Sequence, residues 1–141
     1  MNIKNTDELM SELMSAHNFS DYYKANSRYF ISDELHVYLT NLLKKLSLTK
    51  TEVIKKAELS EVYCYQIFSG QRKPSRNSLI CICIAMGLTL EEIQSILKIA
   101  GIAALYPKNE RDSIIIFGIN NCKSVVDINV DLFDADFDTL N

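Results

Sequence analysis

The sequence contains no tryptophan, only two prolines and only four glycines. Because proline and glycine are the residues that most often interrupt helices, their scarcity favours a helical protein. Long apolar runs are missing as well, since the most apolar stretch, residues 79–90, is shorter than the roughly 20 residues of a membrane span. The first ten residues carry acids where a signal peptide has its basic and apolar regions. We therefore expect a cytoplasmic protein without a membrane partner.

The 141 residues, of which 48% are apolar, fit one compact domain with or without extensions. Four cysteines raise the question of a zinc site. Cys81 and Cys83 are two residues apart, so on a helix they point about 200° apart and cannot share an ion. Cys64 and Cys122 stand alone, and neither histidine has a partner at ligand spacing. The cysteines are therefore predicted to be buried, reduced thiols.

Two acidic runs, 127–131 and 134–138, resemble the opening of a calcium loop. Such a loop needs glycine at its sixth position, where this sequence has Leu132 and Thr139. Motifs for nucleophilic catalysis and for phosphate-binding loops are missing too. The sequence therefore predicts no metal site, no cofactor and no enzyme activity.

Charge is distributed unevenly along the chain, although the net charge is only −3. Residues 35–101 carry nine basic and five acidic side chains, a net charge of +4. The flanking segments 1–34 and 102–141 have net charges of −3 and −4. Clustered lysine and arginine attract polyanions, so the middle segment is the candidate for binding one. The alternative is that these basic side chains belong to an ordinary solvated surface on which the charge is unevenly distributed.

Helix signals follow one another along the whole chain. Capping boxes at 49–52 and 89–92 predict two helix starts, and Gly70 predicts a helix end. Further candidates for N-caps are Ser20, Ser32, Ser75 or Asn77, Asn109 and Ser124. The isoleucines at 114–116 could form a strand, but no partner run exists elsewhere. All-α is therefore the predicted fold class.

The predicted helix that begins after Thr49 is separated by only about three residues, 58–60, from the next predicted helix, 61–69. Two short helices joined by a tight turn form a helix-turn-helix unit. Its second helix can enter a major groove only if its inward residues hold it rigidly. Cys64 and Ile67 are predicted to do so.

The motifs around this unit resemble the lambda-repressor/Cro-like helix-turn-helix family, the XRE family. They are L-T-x-x-E-V-I-x-x-A-x-L-S at 48–60, I-x-x-G-x-R-x-P-S-x-x-x-L at 67–79 and A-M-G-L-T-L-E-E-I at 85–93. The resemblance implies a five-helix DNA-binding bundle at 34–101 whose recognition helix, about 61–69, lies in the major groove. Around it we expect acidic helical extensions at 1–33 and 102–141.

The resemblance also implies which side chains touch DNA. Base contacts fall on Glu61, Val62, Tyr65 and Gln66. Glutamine can pair with adenine, valine can touch a thymine methyl group, and glutamate can accept from cytosine. Phosphate contacts fall on Thr49, Lys50, Thr51, Arg72, Lys73 and Arg76. The first three lie at a helix N-terminus, where backbone N–H groups favour anions.

The predicted function is therefore a sequence-specific transcriptional regulator bound to double-stranded DNA. The predicted recognition helix contains no lysine or arginine and the chain is acidic overall. These two features favour an alternative, a protein-interaction module on the same scaffold that does not bind DNA tightly. A homodimer through the N- or C-terminal helices, or binding of another protein, stays open from the sequence.

Overall fold

The computed structural model describes residues 4–26 and 35–141, and the regular secondary structure of these residues is entirely helical. The described helices are α1 (Thr6–Ser15), α2 (Phe19–Asn26), α3 (Leu35–Lys45), α4 (Lys50–Ala57), α5 (Glu61–Ser69), α6 (Arg76–Ala85), α7 (Leu90–Ile99), α8 (Glu110–Asn120) and α9 (Val125–Asp134). The prediction of an all-α protein is confirmed. The isoleucines 114–116 belong to α8 rather than to a strand. None of the described helices is long and apolar enough to cross a membrane.

The chain divides into two compact units, Met1–Ser32 and Asp33–Asn141. In the first unit, α1 and α2 are joined by a hydrogen bond from Asn26 Nδ2 to Glu12 Oε2 of 2.9 Å. The Asn18 side chain accepts the Asp21 N–H at the start of α2. The prediction that Ser20 caps this helix is wrong, because Ser20 lies inside α2. The predicted cap at Ser32 lies outside the described residues.

Helix starts in the second unit follow the predicted capping chemistry. Thr49 and Glu52 form a reciprocal capping box at α4, and Thr89 and Glu92 form another at α7. At α6, α8 and α9 the N-caps are Ser75, Asn109 and Ser124. Each of these side chains satisfies a backbone N–H that the helix leaves without an intrahelical partner.

Helix α6 forms the centre of the second unit. Residues 79–83 of α6 are fully buried, and the helix contacts α4, α7 and α9. Burial raises the pKa of both Cys81 and Cys83 to about 12, so these two thiols stay protonated at neutral pH. Cys64 is buried as predicted, but Cys122 is exposed in the turn between α8 and α9.

Helices α8 and α9 belong to the same compact unit as α3–α7. The Gln94 side chain both donates to and accepts from the backbone of Leu105, with 2.8 Å in each direction. Leu140 is buried, and its N–H donates to Asn129 on α9. The C-terminal segment 102–141, which is acidic overall, is thus packed onto the core of the second unit by specific polar contacts as well as by apolar burial.

Candidate nucleic-acid interface

Helices α4 and α5 form the predicted helix-turn-helix unit. The turn between them begins at Glu58, which adopts left-handed backbone angles, and Ser60 then caps α5 by accepting the Tyr63 N–H. The inward side chains Cys64 and Ile67 are buried as predicted, and Phe68 is buried beside them on the side of α5 that holds it in place. Helix α5 is therefore fixed along its inner side.

The outward side of α5 carries the residues predicted to contact bases. Val62 is 67% exposed and Tyr65 is 41% exposed, and Glu61 is exposed beside them. Gln66 is half-buried at the margin of this surface. At 3.6 residues per turn, these positions fall on one side of the helix. The structure thus brings the four predicted residues together on one accessible face.

Arg72 lies along one edge of this face. Its backbone N–H donates to the Gln66 carbonyl oxygen over 3.2 Å, which folds the loop back onto the end of α5. Its guanidinium lies over the ring of Tyr63, with 5.3 Å from Cζ to the ring centroid. A cation in this position is attracted by the aromatic face, so Arg72 is held beside α5.

The Tyr63 ring is itself fixed at its polar end. Its hydroxyl oxygen accepts the backbone N–H of Ser75, at 3.2 Å. Burial opposes ionisation of this hydroxyl, but hydrogen bonding with Ser78 and Ser75 and the charge of Arg72 outweigh burial and lower the pKa of Tyr63. The sequence alone does not indicate this role for Tyr63, because its partner Ser75 is 12 residues away. The structure makes Tyr63 the support for Arg72.

Lys50 lies along the other edge of the exposed face. Its Nζ is 6.0 Å from the centroid of the Phe68 ring, and this ring belongs to the inner side of α5. Tyr63 and Phe68 are five residues apart, and the arc of roughly 140° between them holds the buried Ile67 and Cys64. The exposed face takes the remaining arc of roughly 220°. Tyr63 and Phe68 border the exposed face on its two sides, so the cations of Arg72 and Lys50 flank α5.

The N-terminus of α4 contributes the remaining predicted phosphate contacts on this side. The Thr49 hydroxyl accepts the Glu52 N–H at 3.2 Å and is thereby used by the cap. Thr51 is exposed and Lys50 is half-buried in the first turn that follows. Backbone N–H groups in a first helical turn have no intrahelical acceptor and point towards an approaching anion. Thr49 therefore shapes the end of the helix, and the phosphate contacts predicted at residues 50 and 51 stay predictions.

Arg76 has a different environment from the one the sequence predicts. Its guanidinium donates from Nε to the carbonyl oxygen of Ala103 and from one terminal nitrogen to that of Ala104, each at 3.0 Å. The two terminal nitrogens also donate to the two carboxylate oxygens of Asp112, at 3.1 and 2.9 Å. Four of its five N–H groups are thus used inside the protein. The expectation that Arg76 binds phosphate is replaced by a structural role, while Lys73 is exposed next to Arg72.

Among the described residues, no group of three or more histidine, cysteine, aspartate or glutamate side chains is arranged to hold a metal ion. The outward face of α5 presents hydrogen-bonding and apolar groups, and cationic groups lie beside it. Such a combination can read base edges and grip a phosphate backbone.

Comparisons with protein-family models, with curated proteins and with solved structures found no match for this chain. The resemblance to the XRE family therefore remains a hypothesis based on the motifs at 48–60, 67–79 and 85–93.

Proposed function

We propose that this protein is a sequence-specific DNA-binding transcriptional regulator of the lambda-repressor/Cro-like type. The observation that carries the proposal is the placement of Lys50 and Arg72 along the two edges of the exposed face of α5. A helix presented between two cations fits the major groove, which is about 12 Å wide and has a phosphate strand on each side. The five helices α3–α7 would then form the DNA-binding bundle of this family.

Residues on the exposed face of α5 would read the bases. The Gln66 amide can donate to and accept from one adenine, and the exposed methyl groups of Val62 can contact a thymine methyl group. Tyr65 adds an aromatic ring with a polar hydroxyl. The Glu61 carboxylate would accept from a cytosine amino group and would repel nearby phosphates, so it would act mainly against unsuitable sequences.

Residues at the edges of the face would bind the phosphate backbone of DNA and would not distinguish one base sequence from another. Lys50, Arg72 and Lys73 supply the positive charges, and Thr51 with the first N–H groups of α4 supplies hydrogen bonds. Three cationic contacts predict a dependence of log affinity on log salt with a slope of about −3 for one protein molecule. This value is small for a DNA-binding protein, so we expect modest affinity for random sequences.

A salt titration of binding to a random DNA duplex, followed by fluorescence anisotropy, tests the proposal. The full chain should bind at low salt and lose affinity as salt rises. Arg72→Gln should weaken binding to every sequence and make the slope shallower by about one unit. Lys98→Gln is the matched control, because Lys98 is exposed on α7 and lies outside the proposed site. Binding that is the same in Arg72→Gln and in the unchanged protein would remove Arg72 from the site.

A second candidate function is recognition of another protein through the same face. The observation in its favour is that Val62 and Tyr65 expose apolar surface on a helix without a cation of its own. Exposed aromatic residues frequently anchor protein interfaces. No binding to random duplex at low salt would favour this function over DNA binding, and Tyr65→Ala should then abolish capture of the protein partner.

A further inference from the structure

A groove of about 550 Å³ runs between α8 and α9 and is open to solvent. The two helices are joined by a short turn and are therefore antiparallel. The start of α8 and the end of α9 consequently lie at the same end of the groove, away from the turn. The side chains that line the groove from the two helices are Glu110, Ile114, Phe117, Asp131, Asp134 and Ala135.

The end of the groove near the turn already holds one cation, which comes from the chain itself. The Nζ atom of Lys123 lies 2.6 Å from a carboxylate oxygen of Asp131 and 5.6 Å from the centroid of the Phe117 ring. This ring is 60% exposed, and the face of an aromatic ring attracts positive charge. The position of Lys123 thus shows which kind of group the groove accommodates, a cation beside an apolar surface.

The end of the groove away from the turn has carboxylates without a cation. Glu110 and Asp134 are exposed there, and neither has an ion-pair partner among the described residues. Asp134 is the last residue of α9, and the last turn of this helix contains no basic residue. Because the C-terminus of a helix is electronegative, an acid at this position is unfavourable for the helix itself. Such a departure from favourable local chemistry is typical of a functional position, and it indicates a cation supplied by a ligand.

The shape of the groove matches one side of a helix. On α8 the lining residues Glu110, Ile114 and Phe117 are four and three positions apart, so they form one row along the helix. This row is two turns long, or roughly 10 Å. Amphipathic helices that bind in grooves place their own anchoring side chains at the same spacing. The row therefore offers apolar contacts at Ile114 and Phe117 and a carboxylate at Glu110 to successive turns of a partner helix.

We propose that this groove binds a basic amphipathic helix of another protein. Apolar side chains of the partner helix lie against Ile114 and Phe117, and its lysine or arginine side chains pair with Glu110 and Asp134. Among the lining side chains, three carboxylates face one lysine, so the groove attracts a cationic partner and repels DNA.

The proposed interface has a limited size. A row of two helical turns covers less than the roughly 800 Å² that each partner contributes to a standard interface. We therefore expect a dissociation constant in the micromolar range. This inference does not depend on DNA binding, because the groove lies on α8 and α9 and the proposed DNA site lies on α4, α5 and the loop that follows.

Selection from a displayed library of randomised helical peptides of about 15 residues, with the full chain as the target, tests the proposal. The enriched peptides should carry lysine or arginine beside apolar residues that are three or four positions apart. One enriched peptide, labelled with fluorescein, is then the probe for fluorescence anisotropy. Asp134→Lys should weaken its binding by tenfold or more. Glu91→Lys is the matched control, because Glu91 is an exposed acid on α7 outside the groove, and it should bind the probe like the unchanged protein.

Two further measurements separate a binding role from a structural one. A lysine at the C-terminus of α9 interacts favourably with the helix dipole, so Asp134→Lys should keep or raise the urea concentration at the midpoint of unfolding while it weakens probe binding. Phe117→Ala should weaken probe binding by tenfold or more, because exposed aromatic side chains anchor interfaces. Phe133→Ala is its matched control, since Phe133 is exposed on α9 outside the groove.

Three results would overturn the proposal. They are a selection that enriches no peptide, a selection that enriches acidic or uncharged peptides, and a probe that binds Asp134→Lys and Phe117→Ala as tightly as the unchanged protein. A chain that does not bind DNA would leave each of these measurements unaffected.

Discussion

The guanidinium of Arg76 forms a two-pronged pair with the carboxylate of Asp112, although 36 residues separate them in the sequence. The pair joins the first residue of α6 to the first turn of α8. Asp112 also accepts the Tyr106 N–H at 3.0 Å, so its two oxygens are used in three hydrogen bonds. This geometry is the strong, bidentate form of an arginine–carboxylate contact. It attaches the C-terminal helices to the helix that forms the centre of the core.

The first prediction concerns the stability contributed by this pair. Asp112→Ala leaves the half-buried guanidinium of Arg76 and the Tyr106 N–H without their acceptor. The free energy of unfolding should fall by about 2 kcal/mol, measured by urea denaturation. Asp131→Ala is the control, because its pair with Lys123 is more exposed on both sides and should contribute less than about 1 kcal/mol. Equal losses in the two variants would show that Asp112 has no special role.

The second prediction concerns the free energy of unfolding at acidic pH. Burial opposes ionisation of Asp112, but hydrogen bonds from Arg76 and Tyr106 and the charges of Arg76 and Arg111 outweigh it and lower its pKa. A carboxyl group with a lowered pKa in the folded state stabilises the fold above its unfolded pKa of about 3.9, and this contribution is lost as the pH falls through the folded value.

We therefore expect the free energy of unfolding to decrease between about pH 5 and pH 2, measured by denaturation at a series of pH values. The Asp112→Asn variant has no ionisable group at this position, so its free energy of unfolding should change less over the same pH range. A variant with the same acid dependence as the unchanged protein would exclude Asp112 as a source of the effect.

The third prediction concerns the packing of α8 on α9. Gly118 lies directly under Ile128, where an added Cβ would overlap the Ile128 side chain and lie 2.7 Å from its Cδ1. In an open helix, alanine is about 1 kcal/mol more favourable than glycine. Here Gly118→Ala should instead destabilise the protein by about 1–3 kcal/mol in thermal or urea denaturation.

A double-mutant cycle separates this overlap from other effects. In an Ile128→Ala background, the same Gly118→Ala substitution has space for its methyl group and should no longer destabilise. A stabilising effect of Gly118→Ala in the unchanged background would contradict the close approach of the two helices.

The fourth prediction separates base reading from backbone binding. Gln66→Ala should relax the preference for one base pair by about 1–3 kcal/mol while leaving binding to random duplex and its salt dependence unchanged. Selection from a randomised duplex library measures the preference. Arg72→Gln should show the reverse pattern, with weaker binding to all sequences and the same preference. Identical selected sequences from Gln66→Ala and the unchanged protein would remove Gln66 from the reading surface.

Local chemistry explains what the sequence predicts well. The capping boxes at α4 and α7 and the Gly70 end of α5 involve residues within three or four positions of each other, and all three are confirmed. Spacing within α5 likewise predicts which of its residues are buried. Local chemistry does not decide which residue caps α2, because asparagine and serine are both good N-caps. The structure shows that Asn18, and not Ser20, accepts the N–H at the start of this helix.

Contacts between distant parts of the chain explain what the sequence does not predict. Arg76, the first residue of α6, is of the residue type expected for a phosphate contact, and its acceptor Asp112 comes close only when α6 and α8 pack together. Cys122 resembles the buried cysteines in residue type, but it lies in the turn after α8 and is exposed. The contact between Arg72 and the Tyr63 ring likewise forms only when the loop at 71–74 is folded.

The hydrogen bond from Ser75 to Tyr63 has a consequence for any ligand of this face. Because the start of α6 fixes the tyrosine ring and the ring positions the arginine, residues 71–74 are preorganised before a ligand arrives. The entropy lost in arranging this loop is therefore part of folding and is not subtracted again from the binding free energy.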